Sequence, residues 1–64
     1  MLHQIVNTEE LAHRLNVSPA TVRAWRRRGW ISCFRSSRRK FFFDVDEVRQ
    51  ALLVREWERQ QAHD

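Results

Sequence analysis

The segment "LNVSPATV", Leu15 to Val22, does not run as one helix, and its break dictates the front half of the fold. Pro19 is the chain's one proline. It suits the first position of a helix, where its missing N–H costs nothing, and Ser18 before it is a strong N-cap. Asn16 follows the last position of a preceding helical pattern and tolerates the left-handed conformation better than most residues. That preceding helix opens as clearly. Asn7 is an N-cap, Glu10 stands at capping-box spacing, and Val6 can staple onto Leu11. Leu11, Ala12 and Leu15 form its apolar face. The second helix turns Val22 and Trp25 inward and ends at Gly29, the chain's one glycine, placed where a positive φ is needed.

Helices over 8–15 and 19–28, joined by about three residues, have helix-turn-helix geometry. From Ile31 to Phe43 the helical signals lapse. "ISCFR" and "RKFFF" are aromatic and β-prone and flank "SSRR", a turn-forming stretch without glycine, so the segment reads as a β-hairpin. Alternation puts Phe41 and Phe43 inward and Phe42 on the open face, but it does not bury Ile31 and Phe34 together. Asp44 and Glu47 repeat the capping-box spacing and open a third helix over 45–61. Val48, Ala51, Leu52 and Arg55 share its core-facing side. The expected fold is mostly α with a small β-hairpin.

At 64 residues the chain reads as one small domain, near the lower limit for a core without staples. A lone Cys33 permits no intrachain disulfide and fits a reducing cytoplasm. The core must come from Trp25, Trp30, Phe41 and Phe43 with the aliphatic residues, which outweighs a role for these rings as platforms for single-stranded nucleic acid. No apolar run approaches a membrane span, and "MLHQIV" is too short and uncharged for a signal peptide, so the expected setting is soluble and intracellular.

Charge is distributed unevenly. Eight positive residues (Arg23, Arg26, Arg27, Arg28, Arg35, Arg38, Arg39 and Lys40) fall between positions 23 and 40 with no acid among them. Arg14 against Glu9 and Glu10 leaves the front at −1, and six acids against Arg49, Arg55 and Arg59 leave residues 41–64 at −3. Folding gains nothing from such a concentration of like charge, so it calls for an anionic partner. Dipole stabilisation at a helix end could account for Arg26, Arg27 and Arg28 alone. It does not account for Arg23 or for the cluster from Arg35 to Lys40 on a separate element. Two basic elements flanking one helix are what a phosphate-straddling protein requires.

With these elements in order, "NTEELAHRLNVSPATVRAWRRRGWI" resembles the helix-turn-helix of MerR-type regulators and of small phage and plasmid excisionases. Leu11, Ala12, Leu15, Val17, Val22 and Trp25 meet the generic pattern, with Asn16 in place of the turn glycine. "TVRAWRRRG" is similar to the MerR-type "T-I-R-Y-Y-x-x-x-G", with Arg23 at the arginine, Trp25 at the second aromatic and Ala24 departing from the first. "KFFFDVDEV" resembles the excisionase wing ending "W-R-F-D-x-x-x-V", with Phe42 where arginine is frequent. Over roughly residues 5–54 the resemblance implies a winged helix-turn-helix. Its helix 19–28 would enter the DNA major groove, and its hairpin would follow the adjacent backbone or minor groove.

On that reading the recognition helix presents Ser18, Ala20, Thr21, Arg23, Ala24 and Arg27. The wing and backbone group is Arg28, Arg35, Ser36, Ser37, Arg38, Arg39 and Lys40. The small residues at the helix start allow close approach, with hydroxyls and a methyl for base edges. No Asn or Gln lies on this helix, which leaves shape and deformability to supply part of any specificity. His3, His13 and His63 are too dispersed for a metal site, and capping accounts for Asp44 and Asp46. No nucleophile–base pair or phosphate-binding loop is present, so neither an enzyme nor a cofactor is expected. Leu53, Val54 and Trp57 lie roughly opposite Val48 and Leu52 on the third helix. Either that helix bends back over the wing to cover them, or they meet a partner.

The expected function is a small, sequence-preferring double-stranded-DNA-binding protein of the cytoplasm and nucleoid. It would be an excisionase-like architectural factor or a minimal transcriptional regulator. Self-association on tandem sites, or contact with an integrase or another protein, would use the last helix. A DNA-packaging or plasmid-maintenance factor of the same fold is a further option. The competing class is an interaction adaptor whose basic face binds an acidic partner or a membrane surface.

Overall fold

The computed structural model describes residues 4–36, 38 and 40–61. In chain order the elements are strand β1 (Ile5–Asn7), helices α1 (Thr8–Leu15) and α2 (Pro19–Arg27), strands β2 (Phe34–Arg35) and β3 (Phe41–Asp44), and helix α3 (Val45–Gln61). This is a winged helix-turn-helix: three helices with a small antiparallel sheet ordered β1-β3-β2.

Local chemistry sets the helix ends. Asn7 Oδ1 accepts the Glu10 N–H at 2.8 Å, and Ser18 Oγ accepts that of Thr21 at 3.2 Å. Asp44 Oδ1 accepts from the Asp46 and Glu47 N–H groups at 3.0 and 3.2 Å. Each therefore satisfies donors that a helix start leaves orphaned. Asn16 takes φ 59° at the end of α1, and the Val17 N–H reaches back to the Ala12 carbonyl at 2.9 Å. Arg28 caps α2, one residue earlier than the expected end, and Gly29 follows with φ 75°.

Strand β1 is a correction to the expected hairpin-only sheet. Ile5, Val6 and Asn7 pair with Asp44, Phe43 and Phe42, which makes β3 the central strand. The Val45 N–H extends this ladder to the Gln4 carbonyl at 3.0 Å. The hairpin is narrower than its aromatic flanks implied, since Phe34 and Arg35 alone pair with Phe42 and Phe41. Ile31 lies outside β2, free of strand alternation, and is buried, whereas Phe34 is exposed.

The core unites Val6, Leu11, Ala12, Val22, Ile31, Phe43, Val45 and Val48. Phe43 is completely covered. Trp25, Trp30, Phe41 and Leu52 pack against this cluster while remaining half-buried, so the Trp residues and Phe41 form the margin rather than the centre. Phe42, expected on the open face, is also half-buried.

Helix α3 buries Val45 and Val48 and half-buries Ala51 and Leu52, but from Leu53 to Gln61 every residue is exposed. It runs uninterrupted and does not fold back over the wing. Leu53 stays 68% and Trp57 61% exposed. Seventeen residues at about 1.5 Å each span roughly 25 Å, which contributes to dimensions of 44 × 28 × 21 Å. None of the helices in the described residues is long and apolar enough to cross a membrane.

Candidate nucleic-acid interface

The start of α2 is tied together by its own hydroxyls. Ser18 Oγ and Thr21 Oγ1 lie 3.0 Å apart while Ser18 also accepts the Thr21 N–H. A hydroxyl has one donor and two acceptor sites. Whichever of the pair donates, the other keeps its O–H to offer outward. Ala20 is exposed here and Ala24 half-buried, so this end of the helix presents little bulk.

The arginines of α2 diverge. Arg23 crosses to α1, where its Nη2 meets Glu9 Oε2 at 3.3 Å. Arg26 is half-buried, its guanidinium 3.8 Å from the centre of the Phe41 ring. Arg27 is exposed, and its side chain makes no hydrogen bond, ion pair or ring contact among the described residues. Arg28 turns the other way, 5.0 Å from the centre of Trp30, a ring that Arg55 of α3 also covers at 3.6 Å. Arg28 therefore shares with α3 the ring of Trp30, while the sequence grouped it with the hairpin.

On the hairpin, Arg35 approaches the same Phe41 ring as Arg26, at 5.9 Å. The two basic elements thus converge on one aromatic side chain of the central strand. Ser36 supplies what the glycine-free turn needs. Its hydroxyl accepts the Arg38 and Lys40 N–H groups, both at 3.3 Å, and its own N–H donates to the Lys40 carbonyl at 2.8 Å. Arg38 and Lys40 are exposed. Ser37 and Arg39 lie outside the described residues, as do His3 and His63.

Between α2, the start of α1 and β3 runs a groove of about 430 Å³ lined by Asn7, Thr8, Glu9, Arg23, Arg26, Lys40, Phe41 and Phe42. It gathers three cations and two aromatic rings, with Arg26 over that of Phe41, a surface suited to a sugar–phosphate chain. Two features of it are hidden in the sequence: Glu9 as a groove residue, and Arg26 as the link between α2 and the wing. By its position Glu9 is simply part of a helix start, and a contact 15 residues away, such as Arg26 with Phe41, leaves no periodic trace. Leu53, Val54 and Trp57 stand on the projecting half of α3, outside this groove.

Residues 5–53, most of the chain, match the family model for a helix-turn-helix domain. The chain belongs to that family and is a small DNA-binding helix-turn-helix protein, with double-stranded DNA as its partner. Neither a curated protein nor a solved structure matches it.

Proposed function

We propose that this protein prefers particular duplex sequences and acts either as an excisionase-like architectural factor or as a minimal transcriptional regulator. The single observation behind this reading is the convergence of Arg26 and Arg35 on Phe41, which joins the basic helix to the basic hairpin beside one groove. In this reading α2 enters the major groove and presents Ser18, Ala20, Thr21, Arg23, Ala24 and Arg27 to the duplex. Arg35, Ser36, Arg38 and Lys40 hold the backbone, joined by Ser37 and Arg39 on sequence grounds. No catalytic step is assigned, and the protein acts at the nucleoid.

Log K against log[salt] for duplex binding should fall with a slope of several units. A site selected from a random duplex pool should outcompete a scrambled duplex of equal length. Equal affinity for both would favour the adaptor reading, in which any acidic surface suffices.

The exposure of Leu53, Val54 and Trp57 supports a second element of the proposal. Tryptophan commonly anchors interfaces, and an apolar stripe on a projecting helix suits a contact with a second copy on tandem sites or with an integrase-like protein. Trp57→Ala should leave single-site affinity within a few fold and make binding to tandem sites gradual. Unchanged steepness would point to the integrase-like partner.

A further inference from the structure

Both acids in the first turn of α1 favour the helix dipole, yet their side chains go to different places. Glu10 stays on its own helix and pairs with Arg14 at 3.2 Å. Glu9 leans into the basic groove, the sole acid among its described lining residues, and meets Arg23 of α2 at 3.3 Å. The dipole accounts for an acid at this position but not for where its carboxylate points. Stability does not account for the pair either. Its side chains are 67% and 47% exposed, and such pairs contribute little. A carboxylate on a surface that meets phosphates weakens every encounter unless it has a use.

Arginine's geometry supplies that use. Arg23 has five N–H donors in a planar fork, and the contact to Glu9 engages one terminal nitrogen, Nη2. The rest of the fork is then held in one direction. An untethered arginine can follow any phosphate, whereas a held one contributes fully only where acceptors arrive in register. We propose that Glu9 is a specificity-determining residue: it orients Arg23 toward one place on the duplex and penalises its capture by phosphates elsewhere. Discrimination is a difference of affinities, and weakening the wrong complex serves it as well as strengthening the right one. This inference rests on the DNA-binding reading of the groove.

The test uses the full chain as wild type, Glu9→Gln, Arg23→Gln and the double variant. Each is checked for folding by circular dichroism and titrated at one salt concentration on a selected site and on a scrambled duplex. Glu9→Gln should tighten binding to the scrambled duplex by roughly three- to fivefold, the scale of one exposed charge pair. It should change the selected site by less than about twofold, so the preference falls. In the Arg23→Gln background the same substitution should shift both duplexes by one common factor. Equal tightening of both duplexes in the wild-type background would overturn the proposal, since Glu9 would then only repel phosphate. A loss of preference that persists without Arg23 would overturn it too. A wild type with no preference between the duplexes would defeat the sequence-preference reading itself, before any variant is compared.

Discussion

The segment from β1 to the middle of α3 and the last nine described residues of α3 are built on opposite plans. In the first, elements far apart in the chain interlock around Phe43, and basic side chains from α2 and the hairpin share Phe41. In the second, no residue from Leu53 to Gln61 is covered, Arg59 pairs locally with Glu56 at 2.6 Å, and Arg55 alone reaches back, over Trp30 at 3.6 Å. The difference teaches that the fold is complete by Leu52. Apart from Arg55, which covers the marginal Trp30 ring, residues Leu53 to Gln61 can be altered without reaching the core, whereas substitutions on the groove side act on binding and on packing together.

Breaking the interlocked half should have the largest effect. Phe43→Ala empties the centre of the core and should cost about 3–5 kcal/mol. That is comparable to the whole stability of so small a chain, so thermal melts by circular dichroism should show no cooperative transition. Retained cooperative melting would mean that the core does not hinge on Phe43.

Next in size is the loss of wing charge. Arg35→Ala with Arg38→Ala should reduce the salt slope by about two units, one per lost phosphate contact, and weaken all duplexes alike. Thr21→Ala should instead change the ranking of site variants. If Arg35→Ala alters base preference more than Thr21→Ala, the roles of helix and hairpin are reversed.

A smaller effect is expected where backbone alone is concerned. Gly29 sits at φ 75° with open space around a would-be Cβ. Gly29→Ala therefore meets only the left-handed conformational penalty, about 1–2 kcal/mol, read as a lower melting temperature. The smallest effect belongs to the projecting half. Trp57→Ala should shift stability by less than about 0.5 kcal/mol in denaturant titrations, and ending the chain after Leu53 by about 0.5–1 kcal/mol, the scale of the Arg55–Trp30 contact it removes. An unfolded Trp57→Ala variant would place that ring in the core and erase the contrast.

Sequence legibility tracks the range of the forces involved. Asn7, Ser18, Asp44, Asn16 and Gly29 mark helix ends because capping and positive φ are settled within three or four residues. The Leu53–Val54–Trp57 face is visible because α3 repeats regularly enough to separate its sides. Strand β1 is not legible, because three residues carry no periodicity and Ile5–Asn7 become a strand only through β3, more than 30 residues on. The wing can be placed but its limits cannot, because Ile31 to Cys33 are β-prone yet pair with no strand. Of the candidate interface, the basic residues are legible as a charge cluster. Their contacts are not: Arg23 to Glu9, Arg26 to Phe41 and Arg28 to Trp30 are cross-element choices made by packing.

The contrast between the two halves is tested most directly by titrating the isotopically labelled protein with a selected duplex and following every backbone amide by NMR. The largest shifts are expected from Ser18 to Arg27 and from Phe34 to Phe42, with those from Leu53 to Gln61 near baseline on a single-site duplex. Shifts concentrated in Leu53–Gln61, with α2 and the hairpin unmoved, would contradict the assignment of the basic groove to DNA.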